Sequence, residues 1–122
     1  MARILLVEDE AAICVLLAET LVDAGFAVTD CLCAEEAEAA LADLDSYGLL
    51  ITDVNVGVRG WGFDFARRAR AVHQGLAVVY VTGDSEADVP RHGVAGSTVL
   101  PKPFLPLDLV RHVRRVLAPV GG

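Results

Sequence analysis

The sequence predicts an α/β domain in which five short strands alternate with helices. Apolar runs of strand length recur along the chain, and the segments between them carry apolar residues at helical spacing. Strict alternation implies parallel strands with right-handed crossovers and helices on both faces. With 122 residues, 54% of them hydrophobic, the chain can bury the core of one domain. Five strands suit a doubly wound parallel sheet of the flavodoxin-like (βα)5 class, with strand order 2-1-3-4-5.

The first half of the chain predicts three strands and two helices. The short apolar run from Ile4 to Val7 indicates a buried strand. Ala11 to Ala24 is predicted as a helix that stops at Gly25, because its apolar residues recur at helical spacing and glycine readily ends a helix. The predicted inward residues of this helix are Ile13, Leu16, Leu17 and Leu21. The remaining elements are a more polar edge strand from Phe26 to Cys31, an alanine-rich helix from Ala34 to Leu44, and a strand from Tyr47 or Gly48 to Thr52.

The second half repeats the alternation after a glycine-rich loop that runs from Val54 to Gly62. The segment from Ser85 to Gly96 is predicted as the weakest element, because its proline and glycines disfavour a long helix. The other predicted elements are helices from Phe63 to Val72 and from Pro106 to Leu117, and strands from Ala77 to Thr82 and from Thr98 to Leu100. Residues 1–118 are predicted to form the domain, and residues 119–122 a disordered tail.

Composition argues against several classes of protein. A net charge of −7 disfavours a direct nucleic-acid-binding surface. The apolar run near the start of the chain is too short for a signal peptide or a membrane span, so no membrane insertion is predicted. Three cysteines without zinc-type spacing indicate reduced thiols, and hence a cytoplasmic chain.

Reactive side chains follow four of the apolar runs. Glu8 and Asp9 follow the first, Asp53 the third, Thr82 the fourth, and Lys102, the only lysine, the fifth. The carboxyl ends of parallel strands meet at one edge of a sheet, where such sheets bind their ligands. These side chains are therefore predicted to share one cleft, although each taken alone has an ordinary role as a helix cap, a strand residue or a solvated charge.

The predicted cleft has the chemistry of a metal-assisted phosphoryl acceptor. Two carboxylates ~5 Å apart repel each other by roughly 3 kcal/mol at an effective dielectric constant of about 20, which favours a bound divalent cation. Oxygen ligands without a thiol or an imidazole favour Mg²⁺, or Mn²⁺, over Zn²⁺. A carboxylate can also accept a phosphoryl group when a metal ion and an ammonium neutralise the incoming charge.

With these motifs the chain resembles the response-regulator receiver domains of two-component signalling, and in particular the chemotaxis-type single-domain regulators. The resemblance covers nearly the whole chain and rests on Glu8-Asp9, Asp53, Thr82-Gly83 and Lys102-Pro103-Phe104. It implies a stand-alone phosphoprotein that receives its phosphoryl group from a sensor histidine kinase or a phosphotransfer protein. The implied output is contact with a downstream protein or onward transfer in a phosphorelay. Any catalysis is limited to the chain's own phosphotransfer and autodephosphorylation.

The resemblance also implies roles for individual residues. Asp53 would be the phosphoacceptor, and Thr82 and Lys102 would hold the phosphoryl group. Mg²⁺ would be held by Glu8, Asp9, Asp53 and the backbone carbonyl of Asn55. The peptide bond between Lys102 and Pro103 would be cis.

Several positions depart from the family pattern. Glu8 stands where family members more often have Asp, and Gly57 where they usually have Pro. Val99 replaces the usual Tyr or Phe, so a swinging aromatic ring at this position is not expected to be the switch. Asn55 and Asp84 lie where the family tunes the lifetime of its aspartyl phosphate, and this pair of side chains suggests rapid self-hydrolysis.

Two other functions fit part of the pattern. A degenerate receiver, acting as an interaction module without phosphorylation, is compatible with Val99 and Gly57 but not with the complete set of acids, threonine and lysine. An aspartyl-nucleophile phosphatase of the haloacid dehalogenase kind uses the same residue types, but carries its nucleophile on the first strand with a second Asp two residues later. Here Asp53 follows the third strand, the residue two positions later is Asn55, and no cap domain is evident.

Overall fold

The computed structural model describes residues 2–118, which form a five-stranded parallel sheet with helices on both faces. The strands are β1 (Arg3–Val7), β2 (Ala27–Cys31), β3 (Leu49–Asp53), β4 (Ala77–Thr82) and β5 (Thr98–Pro101). They lie in the order β2-β1-β3-β4-β5, and every neighbouring pair is parallel. The predicted fold class and strand order are confirmed. The predicted tail at residues 119–122 lies outside the described residues.

Helices connect the strands. They are α1 (Ala11–Asp23), α2 (Ala34–Ala39), α3 (Trp61–Val72), α4 (Val89–His92) and α5 (Pro106–Val116). The predicted ends of α1 and α5 are each one residue too long, and the larger differences from prediction are at α2 and α3. After α2 the chain continues as a 3₁₀ helix over Ala40–Ser46, which is kinked at Asp43, where φ is −126° and ψ is 30°. The helix α3 begins two residues before the predicted Phe63. None of the helices in residues 2–118 combines the length and the apolar character needed to cross a membrane.

Both faces of the sheet are buried, as near-continuous apolar strands predict. Successive residues of β1 point to opposite faces. Ile4 and Leu6 therefore pack in the core beneath α1 and α5, whereas Leu5 and Val7 pack in the core beneath α2 and α3. The helices cover the sheet from both sides and so hold the ends of the strands in fixed positions.

The helix α1 buries only part of the face that its sequence predicts. Leu17 and Leu21 are buried and Ile13 is half-buried, as predicted. The prediction for Leu16 is wrong, because this side chain is 49% exposed. The helix is apolar on several sides, since Val15 is also exposed, and periodicity alone does not identify the buried stripe of such a helix.

The segment between β4 and β5 is the least regular part of the described chain, as its proline and glycines predict. A single 3₁₀ turn at Glu86–Asp88 leads into the four-residue α4. The buried Tyr80 of β4 contacts this region, because its hydroxyl accepts a hydrogen bond from the Val94 N–H at 3.2 Å. On its other side the Tyr80 ring meets the Phe63 ring of α3 at a centroid distance of 5.1 Å. Val99 is the register partner of Tyr80, so β4 supplies an aromatic ring next to the position where β5 has none.

Candidate functional site

The carboxyl ends of β1, β3, β4 and β5 lie along one edge of the sheet, and the predicted reactive residues are found there. The register of β1 with β3 places Glu8 and Asp53 at neighbouring positions, just beyond the last pair of the two strands. The register of β4 with β5 pairs Thr82 with Pro101, the residue before Lys102. Strand topology therefore brings residues that are up to 94 positions apart in sequence into one cleft.

Three carboxylates form the acidic part of this cleft. Glu8, Asp9 and Asp53 each offer an oxygen that lies within 4.8 Å of the oxygens of the other two. Glu8 is fully buried, Asp53 is half-buried and Asp9 is exposed. A set of oxygen donors at this spacing fits a hard divalent cation such as Mg²⁺ or Mn²⁺, and it lacks the nitrogen and sulfur ligands that Zn²⁺ prefers.

Lys102 links two of these acids. Its Nζ donates hydrogen bonds to Glu8 Oε1 at 2.6 Å and to Asp53 Oδ2 at 3.0 Å. The Lys102 side chain is 20% exposed, so the pair with Glu8 is shielded from most of the solvent. The sequence pointed to a contact between Lys102 and Asp53, but it did not identify the shorter contact with Glu8.

Burial and pairing act in opposite directions on the two partners of this ion pair. Burial raises the pKa of the Glu8 carboxyl, and the hydrogen bond and charge of Lys102 oppose that rise only in part. Burial alone would lower the pKa of the Lys102 ammonium, but the hydrogen bonds to Glu8 and Asp53 outweigh it and leave the pKa above its ordinary value. Lys102 is therefore a fixed positive charge beside the acids at neutral pH.

The Thr82 hydroxyl lies at the same edge, but it is engaged with the turn that follows β4. Its Oγ1 accepts hydrogen bonds from the backbone N–H groups of Asp84 at 3.3 Å and Ser85 at 3.0 Å. The same hydroxyl donates to Asp84 Oδ1 at 3.3 Å. Among residues 2–118 no hydrogen bond joins Thr82 to Asp53, so the structure brings Thr82 to the cleft without turning its hydroxyl toward the acids.

Asn55 connects the cleft to the turn after β4. Its backbone N–H donates to Asp53 Oδ1 at 3.4 Å, and its side-chain Oδ1 accepts a hydrogen bond from the Gly60 N–H at 2.7 Å. Its side-chain amide donates to Asp84 Oδ1 and to Ser85 Oγ, each at 3.2 Å. One side chain therefore spans the loops that follow β3 and β4.

Asp84 is the residue on which these contacts converge. Its Oδ1 also accepts a hydrogen bond from Ser85 Oγ at 3.0 Å, and its Oδ2 lies 3.6 Å from Arg59 Nη1. The hydrogen bond from Ser85 is the main cause that lowers the pKa of the Asp84 carboxyl, and the hydrogen bond from Thr82 and the charge of Arg59 act in the same direction. Asp84 is therefore a stable anion at neutral pH.

Gly62 fixes the position of the backbone at Asp53. Its N–H donates to the Val54 carbonyl at 2.7 Å, which brings the first turn of α3 against the end of β3. A Cβ atom at position 62 would lie 2.3 Å from the Asp53 carbonyl oxygen and 2.9 Å from Val54 Cα. Only glycine permits this approach, so the start of α3 and the backbone of Asp53 are positioned together.

Two backbone features of the cleft bear on the sequence prediction. The peptide bond between Lys102 and Pro103 is cis, as predicted. Gly57 has φ +71°, a conformation that the fixed ring of proline does not allow. The path of the loop after β3 therefore excludes the proline that the family usually has at this position.

Sequence reasoning did not identify two residues of the network, Arg59 and Ser85. Ser85 carries a usable signal, because a threonine hydroxyl often accepts hydrogen bonds from backbone N–H groups two or three residues later. Arg59 carries no such signal, since its partner lies on a different loop. Contacts of this kind depend on how two loops approach each other, which the local sequence does not encode.

The sequence pattern of the response regulator receiver domain matches residues 4–114 of the chain. The chain belongs to this family. Receiver domains are in general phosphoacceptors rather than enzymes, they interact with histidine kinases or phosphotransfer proteins, and they bind Mg²⁺ at an acidic pocket. The family resemblance drawn from the sequence motifs is confirmed.

Two relatives of this receiver domain differ in length. The transcriptional regulatory protein CpxR of Klebsiella pneumoniae is 37% identical over 119 residues, which are 96% of the chain and 50% of CpxR. The chain thus spans about half the length of that relative. The response regulator receiver protein CpdR of Brucella abortus is 32% identical over 123 residues, which cover 96% of the chain and 98% of CpdR.

Solved receiver structures share the fold. A response regulator receiver protein from Sinorhizobium medicae superposes with a TM-score of 0.87 at 31% identity, over 95% of this chain and 94% of that one. The chemotaxis protein CheY4 of Vibrio cholerae superposes with a TM-score of 0.82 at 29% identity, over 96% of this chain and 99% of that one. Both likenesses extend over nearly the whole described receiver domain.

Proposed function

We propose that this receiver domain accepts a phosphoryl group on Asp53 from a sensor histidine kinase or a phosphotransfer protein, in the cytoplasm and in a Mg²⁺-dependent reaction. It then signals by contact with a downstream protein or by passing the phosphoryl group on. The observation that carries the proposal is the meeting of three carboxylate oxygens within 4.8 Å with the Lys102 ammonium bonded to two of the acids.

In the proposed reaction an Asp53 carboxylate oxygen forms a bond to phosphorus while the bond from phosphorus to the donor nitrogen breaks. Bound Mg²⁺ supplies positive charge that neutralises the phosphoryl oxygens. Glu8, Asp9, Asp53 and the backbone carbonyl of Asn55 are the proposed ligands, and Mn²⁺ fits the same donors. The protein itself provides the Asp53 carboxylate as a nucleophile, held in position beside the Lys102 ammonium. Positioning and charge stabilisation are most of what phosphoryl transfer requires.

Lys102 and Thr82 are the proposed partners of the transferred group. The raised pKa of Lys102 keeps its ammonium charged, so it can exchange a carboxylate oxygen of Asp53 for a phosphoryl oxygen without a proton transfer. Thr82 would donate its hydroxyl hydrogen to the same group. Gly83 is exposed, and a Cβ there would meet no atom closer than Lys102 Cβ at 3.8 Å, which leaves the approach open.

The decisive experiment is phosphorylation by acetyl phosphate and Mg²⁺, followed on a phosphate-affinity gel. We expect a shifted band for the wild type, no shift for Asp53→Asn, and a wild-type shift for Asp64→Asn, which alters an exposed acid of α3. EDTA should abolish the shift. A folded wild-type protein that never shifts would rule out the proposal and would favour the degenerate receiver that acts without phosphorylation.

Metal binding can be tested separately by thermal unfolding. A ligand at ten times its dissociation constant stabilises the folded state by about 1.4 kcal/mol. We expect Mg²⁺ to raise the melting temperature of the wild type, and Asp9→Asn to reduce this rise. Asp45→Asn changes an exposed acid outside the cleft and should respond like the wild type. An equal response of all three proteins would contradict the proposed metal ligands.

A further inference from the structure

The Thr82 hydroxyl has no hydrogen-bonding capacity left for another group. A hydroxyl donates one hydrogen bond and accepts two. Here it donates to Asp84 Oδ1 at 3.3 Å and accepts from two backbone N–H groups, those of Asp84 and Ser85. The Thr82 side chain is also buried, with 1% of the residue exposed. Thr82 therefore cannot donate to a group on Asp53 unless its bond to Asp84 breaks.

The Asp84 carboxylate is held in place by residues from both loops. Asn55 and Ser85 donate to the same oxygen that receives the Thr82 hydrogen, at 3.2 Å and 3.0 Å, and Arg59 lies 3.6 Å from the other oxygen. These contacts hold the carboxylate between the two loops. Among the described residues Asp84 makes no hydrogen bond or ion pair with Glu8, Asp9 or Asp53, so its hydrogen bonds reach the cleft through Thr82 and Asn55.

We infer that Asp84 is a positioning residue that withholds the Thr82 hydroxyl from a phosphoryl group on Asp53. The inference rests on the proposed function of Asp53. In the free domain the carboxylate of Asp84 is the acceptor of the Thr82 hydrogen. A phosphoryl group on Asp53 must compete with Asp84 for that hydrogen. The contacts of Asp84 with Asn55, Ser85 and Arg59 favour Asp84 in this competition, because they hold its carboxylate in place.

This competition has a measurable consequence for an acyl phosphate mimic. Beryllofluoride binds carboxylates as a phosphoryl analogue. To accept a hydrogen bond from Thr82, it would have to displace the hydrogen bond between Thr82 and Asp84. Asp84→Ala removes that bond and should tighten beryllofluoride binding by about threefold to tenfold, the range that corresponds to the net contribution of a single hydrogen bond. Asp84→Asn keeps an oxygen that can accept from Thr82 and should tighten binding less.

A gain that comes only from the loss of a negative charge near the cleft is the competing explanation, and a double-mutant cycle separates the two explanations. In Thr82→Val the hydroxyl is absent, so Asp84→Ala should then leave the affinity unchanged. Glu86→Ala removes an exposed charge from the same segment and should leave it unchanged in both backgrounds. The affinity for Mg²⁺ alone should be the same in wild type and Asp84→Ala, because Asp84 is not a proposed metal ligand.

The experiment is isothermal titration of beryllofluoride at saturating Mg²⁺ for the four proteins of the cycle. A gain from Asp84→Ala that disappears in Thr82→Val supports the inference. A gain of equal size in both backgrounds means that Asp84 acts through its charge alone, and it overturns the inference while leaving the proposed function intact. If the wild type neither binds beryllofluoride nor shifts on the phosphate-affinity gel, the proposed function fails and the inference fails with it.

Discussion

Lys102 Nζ lies 2.6 Å from Glu8 Oε1, and the Glu8 side chain is completely buried. The charge of Glu8 therefore has one cationic partner among the described residues and almost no contact with solvent. Because a buried carboxylate without its partner is costly, Lys102 is needed for the stability of the domain as long as Glu8 is present.

Removal of the ammonium should destabilise the domain. We expect Lys102→Met to lower the free energy of unfolding by about 3 kcal/mol, as for other buried pairs that lose one partner. The double variant Glu8→Gln with Lys102→Met should recover much of that loss, since no buried charge is left unpaired. Arg68→Ala breaks an exposed ion pair with Glu38 and should cost at most about 1 kcal/mol.

Urea denaturation of these four proteins measures the effect. A Lys102→Met variant as stable as the wild type would show that Glu8 finds another partner or loses its charge without cost. A double variant less stable than Lys102→Met would show that the ion pair is not the origin of the loss.

The close approach of Gly62 to Asp53 predicts an unusually costly glycine substitution. In Gly62→Ala the new Cβ would overlap the Asp53 carbonyl oxygen at 2.3 Å, so the start of α3 or the end of β3 must move. We expect a loss of about 3 kcal/mol in the free energy of unfolding, at the upper end of overpacking effects, together with reduced acceptance of phosphate. Gly83→Ala is the matched control, because its Cβ meets nothing closer than 3.8 Å. Equal stability of the two variants, measured by thermal unfolding, would contradict this account.

His112 predicts a pH dependence of stability. Its Nε2 lies 2.7 Å from Thr98 Oγ1, and burial, followed by the charge of Arg115, lowers the pKa of the imidazole below its ordinary 6.5. The unfolded chain binds the proton more readily, so the stability that the neutral imidazole contributes is complete above pH 6.5 and is lost as the pH falls through the folded pKa. Between about pH 7.5 and about pH 5, His112→Gln should therefore lose less stability than the wild type.

Unfolding by urea at both pH values tests this expectation. Arg115→Gln removes one cause of the lowered pKa of His112. Its loss of stability between the two pH values should lie between those of the wild type and His112→Gln. If the wild type and His112→Gln lose stability in parallel, His112 does not contribute to the pH dependence.

The three cysteines predict a selective pattern of alkylation. Cys14 and Cys31 are buried, and burial raises the pKa of their thiols to about 11 and about 12. Cys33 is half-buried at the mouth of a groove beside Asp9. Native protein treated with iodoacetamide at neutral pH should gain one label, at Cys33, because a thiol reacts as the accessible thiolate.

Mass spectrometry identifies the labelled position. In urea all three cysteines should react, and native Cys33→Ser should gain no label. Early labelling of Cys14 or Cys31 in the native state would show that α1 or the end of β2, respectively, opens more readily than its packing indicates.

The sequence predicted the sheet better than it predicted the contacts between loops. Strand runs such as Ala77 to Thr82 are continuous, apolar and bounded by turn residues, so the position of Thr82 at a strand end followed from local pattern alone. The two extra residues at the start of α3 were missed, because their place in the helix depends on the approach of Gly62 to β3. The network around Asp84 was also missed in part, since it forms only when the loops after β3 and β4 lie side by side. Leu16 was placed on the wrong face because α1 is apolar on several sides.

The loop after β3 is hydrogen-bonded at both ends and exposed to solvent in the middle. Gly62 is bonded to Val54, and Asn55 Oδ1 holds the Gly60 N–H, while Gly57 and Val58 between them are exposed. The backbone there is not free, because the Val58 N–H donates to the Val56 carbonyl at 2.7 Å and the Val58 carbonyl accepts from the Trp61 N–H at 3.2 Å. For protein engineering this makes the exposed Val58 side chain, rather than the chain itself, the place for a reporter. A fluorophore on Val58→Cys, in a Cys33→Ser background, would leave the turn intact beside Asp53.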